Sequence, residues 1–537
     1  MNKTPPIRVH TVLLCAAVLV CAALVASARG GGASAAASKS ANPTVTITGG
    51  AVHGLSVSGG YAFRGLPYAA PPVGALRWQP PQASAKWNGV RDATQFAATC
   101  PQAPSVSAGP GPFSEDCLYL NVSTPTLRPD AKRPVLVWIH GGGFAQDGSR
   151  NYDGSKLAAG GLVVVTINYR LGALGFLAHP ALASHPGGPS GNYGLMDQQA
   201  ALRWVQSNIA QFGGDPGNVT IAGQSAGAVS VLAHLVSPGS RGLFQRAIVQ
   251  SGSFAFNQVP LAKAEAFGES FATSVGCSDQ TAACLRQVPV DQLVAKFPHA
   301  AIPGVVDGKV LTQPIGNALA AGHFARVPIL DGINQNEELI FVAGQGLAVS
   351  GGQFVPVPRP VTAGSYQNAI AAVLGVTADA ASSIASEYPV AAYPAPVIAL
   401  STLVSDANFA CPALQLDRWT AKRVPTFAYE FDDGTAPQRF APPGALPPIA
   451  THSSEIQYLF DQPNTPVPAV LDAAQTKLAT TMRAAWTTFA ASGNPSTSAA
   501  PWRPFNSGST VLSLVSPKPQ LETNFSATHH CAFWAAG

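Results

Sequence analysis

Residues Val219–Leu235 read VTIAGQSAGAVSVLAHL. VTIAG is a short β-branched run of the kind that forms a buried strand, and AGAVSVLAHL has apolar residues at helical spacing. Ser225 stands at the junction, flanked at two residues on each side by Gly223 and Gly227. In a chain with 52 glycines a G-x-S-x-G pattern also arises by chance, so the pattern alone decides nothing. The flanks do. A strand that turns sharply into a helix at a serine pushes the hydroxyl out of the sheet, and the glycines permit the tight turn and the close helix–strand approach. The backbone there also lies at a helix N-terminus, where free N–H groups and the dipole favour negative charge. The alternative is an ordinary N-cap serine.

The surrounding sequence supplies similar units. RPVLVWIHGGGF (Arg133–Phe144) and GLVVVTINYR (Gly161–Arg170) read as buried strands, and GLMDQQAALRWVQSNIAQF (Gly194–Phe212) as a helix. FQRAIVQSGS (Phe244–Ser253) and PTFAYEFDD (Pro425–Asp433) are further strands. TVTITGGAVHGLSV and YAFRGLPYAAPPVG near the start alternate and turn like a small antiparallel sheet. Strands alternating with helices predict an α/β fold with a mostly parallel central sheet flanked by helices. The stretch 261–444 is richer in helix-like and irregular segments and is expected to carry insertions that cap the sheet's C-terminal edge. The remainder, 43–537, is expected to be a single catalytic domain.

Composition narrows the function. Of 537 residues only 11% are charged and 47% are apolar, and the net charge of +4 is spread without basic runs, so neither nucleic acid nor an anionic membrane is an expected partner. Lys3 and Arg8 precede the apolar run Thr11–Ala26, and Ala26–Ala28 offers an A-x-A cleavage site. This is the anatomy of a secretory signal peptide over 1–28, followed by a flexible leader over 29–42. The apolar run is shorter than the ~20 residues of a spanning helix, so no stable anchor is expected after cleavage. Outside this segment six cysteines remain, an even number that in an exported chain reads as disulfides and matches no zinc spacing. Proximity favours Cys100–Cys117 and Cys277–Cys284, which leaves Cys411–Cys531.

A serine nucleophile needs donors for an oxyanion, and HGGGF, His140–Phe144, follows a predicted strand with glycines whose N–H groups can face a site unobstructed. The run lacks both the dinucleotide-binding glycine pattern and the lysine of a phosphate loop.

Taken together, FRGLPYAAPPVGALRW, SEDCLYLNV, VWIHGGGF, INYRLGALGFL, the block from Gly191 to Gly227, RAIVQSGS, DGINQNEE and THSSEIQYLF resemble the type-B carboxylesterases, which include cholinesterases and bacterial broad-specificity esterases. The resemblance implies an α/β-hydrolase fold and a Ser–Glu–His triad in that chain order. Carried over by position, the nucleophile is Ser225, the acid Glu337 of the Gly332, Asn334, Glu337 pattern, and the base His452. Glu338 stands where the family usually has glycine. The oxyanion donors fall on the N–H groups of Gly142, Gly143 and Ala226, and Ser251 resembles the serine placed near acid and base. Gln224 replaces the glutamate that precedes the nucleophile in cholinesterases, and the loop between Cys100 and Cys117 lacks their choline-binding tryptophan, which argues against a choline ester. The same three disulfides and two ion pairs, Arg64–Glu115 and Arg170–Asp197, are implied. The activity implied is secreted ester hydrolysis through an acyl-enzyme on small to medium esters, with no metal or organic cofactor. A lipase, an amide, carbamate or polyester hydrolase, and a non-catalytic binding protein on the same fold are the alternatives.

Overall fold

Along Arg133–Ile139 the apolar residues do not alternate with polar ones. Val135, Val137 and Ile139 pack into one buried cluster and Leu136 and Trp138 into another. A strand covered on both faces must be apolar throughout, as parallel strands under crossover helices are. Val163, Val165 and Ile167 against Val164, and Val219 and Ile221 against Ala222, split in the same way. These runs form the middle of an eleven-stranded sheet in this computed structural model. The structure describes residues 42–537 except 106–107, 110, 184, 186–187, 298–303, 439, 441–443, 445, 465–469, 507–509 and 537. The expected signal peptide and almost all of the leader lie outside them.

In chain order the sheet strands are β1 (Leu55–Val57), β2 (Gly60–Pro67), β3 (Tyr119–Thr124), β4 (Arg133–Ile139), β5 (Val163–Ile167), β6 (Gly214–Gln224), β7 (Arg246–Gln250), β8 (Ile329–Asn334), β9 (Thr426–Phe431), β10 (Val511–Leu514) and β11 (Gln520–Glu522). Their spatial order is β11-β10-β9-β8-β7-β6-β4-β5-β3-β2-β1. From β10 to β5 every pairing is parallel, and only the edges are antiparallel. This is the α/β architecture expected, with one refinement at the start of the chain. Thr44–Ile47 and Gly50–His53 pair with each other and with Val90–Asp92 in a separate small sheet, whereas β1 and β2 join the central one.

Helix α1 (Tyr193–Asn208) and helix α2 (Ala226–Val236) cover the sheet beside β6. The stretch 261–444 is not one continuous insertion, because β8 and β9 of the central sheet run through it. What lies between them includes Tyr366–Leu374, Ala378–Glu387 and Pro396–Ser405, helices that share an apolar core of their own around Ile370, Tyr388 and Leu403. Pro396–Thr420 is long and apolar enough to cross a membrane, but 67% of its most apolar window is buried within the fold, which is how a core helix behaves.

All three cysteine pairs are bonded as expected, Cys100–Cys117, Cys277–Cys284 and Cys411–Cys531. Such bonds fit an oxidising compartment. Of the two ion pairs, Arg170 and Asp197 are joined through two guanidinium contacts of 2.7 Å each. The other expectation is corrected. Glu115 is held by Arg77, through Nε at 2.5 Å and Nη2 at 2.6 Å, while the Arg64 guanidinium lies 4.5 Å from the centre of the Phe96 ring. Arg77 is fixed for this role because its Nη1 also donates to the carbonyls of Arg286 and Val288.

One buried pair is costly. Asp331 on β8 and Asp417 on the helix Cys411–Thr420 are 1% and 3% exposed. Neither oxygen of Asp331 has a hydrogen-bond partner among the described residues. Burial raises both carboxyls well above the usual range, and the Asp417 charge raises Asp331 further. A carboxyl raised in the folded state contributes most below its unfolded pKa near 4, and that contribution is lost as pH rises through the folded value. Asp417→Asn is therefore expected to raise the melting temperature by about 1–3 °C at pH 7–8, and the gain should vanish near pH 4, as followed by scanning calorimetry.

Candidate active site

The functional side chains come from the C-terminal ends of neighbouring parallel strands, where α/β sheets place their sites. The register sets their level. Gln224 at the end of β6 pairs with Gln250 at the end of β7, which pairs with Gly332 on β8. The ladder continues one step past each strand, with Ser225 N–H donating to the Gln250 carbonyl at 2.8 Å and Ser251 N–H to that of Gly332 at 2.7 Å.

Ser225 has φ +57° and ψ −126°, a backbone that a residue with a Cβ adopts only under strain, and it immediately precedes α2. The flanking glycines make the turn possible. A Cβ on Gly227 would lie 2.0 Å from the Ile139 carbonyl oxygen, and one on Gly223 would lie 2.5 Å from the backbone of Gly227. Helix α2 thus touches the strand backbone with no side chain between them.

Gly142 and Gly143 follow β4 with φ of +84° and +63°. Among the described residues no hydrogen bond engages either N–H. Ala226 opens α2, so its N–H is among those that a helix leaves without an internal acceptor. His140, at the head of the same turn, is scaffold. Its ring stacks on Tyr169 with centroids 4.4 Å apart, and burial lowers its pKa so that it stays neutral.

Beyond β8 the chain brings Glu337 and Glu338 into the interior, both 0% exposed. Their side chains diverge. Glu337 Oε2 is 2.5 Å from His452 Nδ1, while Oε1 accepts from Ser251 Oγ at 2.6 Å and from the Asn334 N–H at 2.7 Å. Glu338 turns to the hairpin Leu347–Ser350/Gln353–Pro356, where both its oxygens accept from the Val349 N–H at 3.1 Å. Burial raises the Glu338 carboxyl well above its usual range, and the Glu337 charge adds to the rise. His452 lies on the loop that follows β9. A parallel bridge between Asn336 and Thr451 ties that loop to the Glu337 segment, with Asn336 N–H donating to the Ala450 carbonyl at 2.9 Å.

With Nδ1–H directed at Glu337, His452 Nε2 carries its lone pair toward Gln224, whose side-chain amide donates to it at 3.1 Å. Ser225 and His452 line a cavity of about 350 Å³ together with Gly142, Gly143 and Gln224. The structure therefore brings Ser225, His452, Gly142 and Gly143 onto one cavity, and Glu337 and Ser251 directly behind the imidazole. Ala226 is the next residue after Ser225 and opens α2 at the same turn.

Two features were not anticipated. Glu455, three residues beyond His452, is fully buried and accepts from Asn334 Nδ2 at 2.8 Å and Gln250 Nε2 at 3.0 Å. Burial and the charge of Glu337 push it up to about 6. Its position in the HSSE block was the available signal. The second feature is a set of aromatic walls. Phe341 and Phe409 stand 5.0 Å and 5.7 Å from the imidazole, centroid to centroid, and their assembly from distant segments leaves no local pattern.

Away from this cavity, Glu430, Asp432 and Glu522 bring ligand oxygens within 4.8 Å of one another. Their cationic partner is already present. His529 lies 2.8 Å from Glu430 and 2.6 Å from Asp406, and although burial opposes its charge, the carboxylates hold its pKa well above the usual value. The network fastens the C-terminal segment beside the Cys411–Cys531 bond.

A strained serine between a strand and a helix, set among these groups, defines an α/β-hydrolase. The comparisons extend this to the family. The carboxylesterase family model matches residues 41–534. The chain is 37% identical over 452 residues to the fumonisin B1 esterase of Sphingopyxis macrogoltabida, covering 81% of this chain and 79% of that protein. It is 34% identical over 481 residues to the para-nitrobenzyl esterase of Bacillus subtilis, covering 85% and 91%, and 34% identical over 501 residues to the acylcarnitine hydrolase of Mus musculus, covering 87% and 86%. The chain belongs to the carboxylesterase family, and it is a carboxylic-ester hydrolase.

The elbow packing is testable by itself. Gly227→Ala is expected to cost about 2–3 kcal/mol of stability, because the clash is with backbone that cannot rotate aside. Urea unfolding of the variant beside the parent protein measures this.

Proposed function

We propose that the chain hydrolyses its ester through an acyl-enzyme formed on Ser225, with His452 as general base and acid and Glu337 as the group that orients it. The observation that carries this reading is the 2.5 Å contact between Glu337 and His452 behind a cavity that Ser225 also lines. In the first half, the Ser225 Oγ–carbon bond forms as the hydroxyl proton passes to His452 Nε2. The tetrahedral oxyanion is received by the N–H groups of Gly142, Gly143 and Ala226, each such donor being worth roughly 3 kcal/mol. The carbon–alkoxy bond then breaks, and the leaving alcohol takes the proton from His452. In the second half water attacks the acyl carbon, gives its proton to His452, and the acid departs as Ser225 recovers that proton. Glu337 stays ionised throughout, fixing the tautomer and stabilising the imidazolium. Ser251 supports the acid through its 2.6 Å hydrogen bond. None of these steps calls on a metal or an organic cofactor.

We also infer export, with residues 1–28 as a cleaved signal peptide. The apolar run after Lys3 and Arg8 and the three disulfides support this. The substrate is a small-molecule ester, and the two esterases named above share the bond type, not the substrate.

Ser225→Ala is expected to lower kcat on p-nitrophenyl acetate at least a thousandfold and to abolish labelling by a fluorophosphonate probe. Wild-type turnover or persistent labelling in this variant overturns the assignment. The neutral amide at Gln224 yields a second expectation. A carboxylate placed 3.1 Å from Nε2 favours the imidazolium, and a base must be unprotonated to act. Gln224→Glu should therefore move the acid limb of the kcat/KM profile to higher pH. An unmoved limb contradicts the role given to His452.

A further inference from the structure

The glutamate next to the acid has a reach of its own into the site. Glu338 is 0% exposed, and its N–H donates at 2.9 Å to Ser405 Oγ on the helix Pro396–Ser405. Its carboxyl accepts the Val349 N–H through both oxygens at 3.1 Å. Val349 belongs to the hairpin Leu347–Ser350/Gln353–Pro356, and its carbonyl accepts from Asn408 Nδ2 at 2.6 Å. Both backbone groups of Val349 therefore bond outside the hairpin, and the ribbon is pinned at that residue.

Directly across the hairpin from Val349 stands Phe354. The side chains of such a pair share one face of the ribbon. Here both line a cavity that Ser225, His452 and Gly143 also line. The Phe354 ring lies so close to the oxyanion turn that a Cβ on Gly143 would meet its Cε2 at 3.4 Å. Phe354 also packs edge-on against Phe341 with centroids 5.2 Å apart, and Phe341 is the ring 5.0 Å from the imidazole. One aromatic side chain thus adjoins both the glycine turn and the wall beside the base.

We propose that Glu338 is a positioning residue: on the catalytic reading above, it holds Val349, and through it Phe354, so that the ring forms a fixed wall beside the bound ester. Glycine, the residue usual at this position in the family, has no side chain to reach the Val349 N–H. Glu337 orients His452 and Glu338 sets the wall, so two successive residues after β8 govern the base and the space in front of it. Glu338 acts here as an acceptor and not as a charge, since burial and the Glu337 charge hold its carboxyl well above the usual range.

The test begins by titrating reactive sites with a fluorophosphonate probe, so that kinetic constants refer to folded enzyme and a loss of stability alone leaves them unchanged. Glu338→Leu fills the space without supplying an acceptor. Its KM for p-nitrophenyl butyrate is expected to rise roughly tenfold with kcat within about threefold of the parent, because the wall meets the bound ester while the Glu337–His452 contact is untouched. Glu338→Gln supplies a neutral acceptor of the same length and should bring KM back to within about twofold of the parent. In a Phe354→Ala background, Glu338→Leu should change KM by less than about twofold, since the wall it holds is already gone. A parent-like KM in Glu338→Leu overturns the proposal, as does full additivity with Phe354→Ala or a failure of Gln to rescue. If Glu338→Leu yields no labelled protein, Glu338→Asp takes its place with the same expectations, because it withdraws the acceptor by one methylene. Ser225→Ala separates the two levels of inference. If it abolishes turnover while Glu338→Leu leaves KM unchanged, only the role of Glu338 fails. If turnover survives it, the catalytic reading fails as well.

Discussion

The Glu337 carboxyl has no access to water, and a buried polar group persists only if its surroundings satisfy it. Its partners come from separate places in the chain. Ser251 arrives from the end of β7, the Asn334 N–H from the end of β8, and His452 from the loop after β9. Removing any one leaves a buried oxygen short of a partner, so the carboxyl holds these strand ends in a single arrangement. The imidazole is oriented as a consequence. Its Nδ1 is committed to the acid, and Nε2 faces the cavity.

The other half of the site is set by the absence of side chains. Helix α2 approaches β4 and β6 so closely that carbonyl oxygens of Ile139 and His140 occupy the space where a Cβ of Gly227 would stand. This contact forces the chain to turn at Ser225 and holds it at φ +57°. The strain is local and the packing around it is extensive, with Ile139, Ala226, Ala228 and Val229 all fully buried. A hydroxyl on such a turn is held in place by backbone geometry.

Electrostatically the surroundings of His452 are acidic on the far side and neutral on the near side. Glu337, Glu338 and Glu455 are all buried behind or beside it, and burial raises the last two toward their neutral forms. On the cavity side Gln224 contributes a dipole and no charge. Of these three carboxyls Glu337 alone contacts the imidazole, through Nδ1, and the Gln224 amide donates to Nε2. The aromatic rings Phe341 and Phe409 give the imidazole's flanks an apolar lining.

The sequence by itself determined the strands and the glycine-flanked elbow, because each of these is encoded locally, whereas Glu337 and His452 were singled out only by likeness to a family's blocks. Two-sided burial writes itself as Val163–Ile167, a sharp turn writes itself as glycines around Ser225, and the disulfides follow from a small even set of cysteines. Choices between near-equivalent neighbours were left to the tertiary structure. Arg64 and Arg77 occur in the same block, yet only Arg77 reaches Glu115, because the carbonyls of Arg286 and Val288 hold it there from more than two hundred residues away. Glu337 and Glu338 are adjacent, and the site takes the one that faces His452 while the other caps a hairpin N–H. Cavity sizes were invisible for the same reason. Phe254, Phe341, Phe354 and Phe409 are ordinary apolar residues in their own segments, and the space they leave beside Ser225 is a property of four side chains meeting in three dimensions.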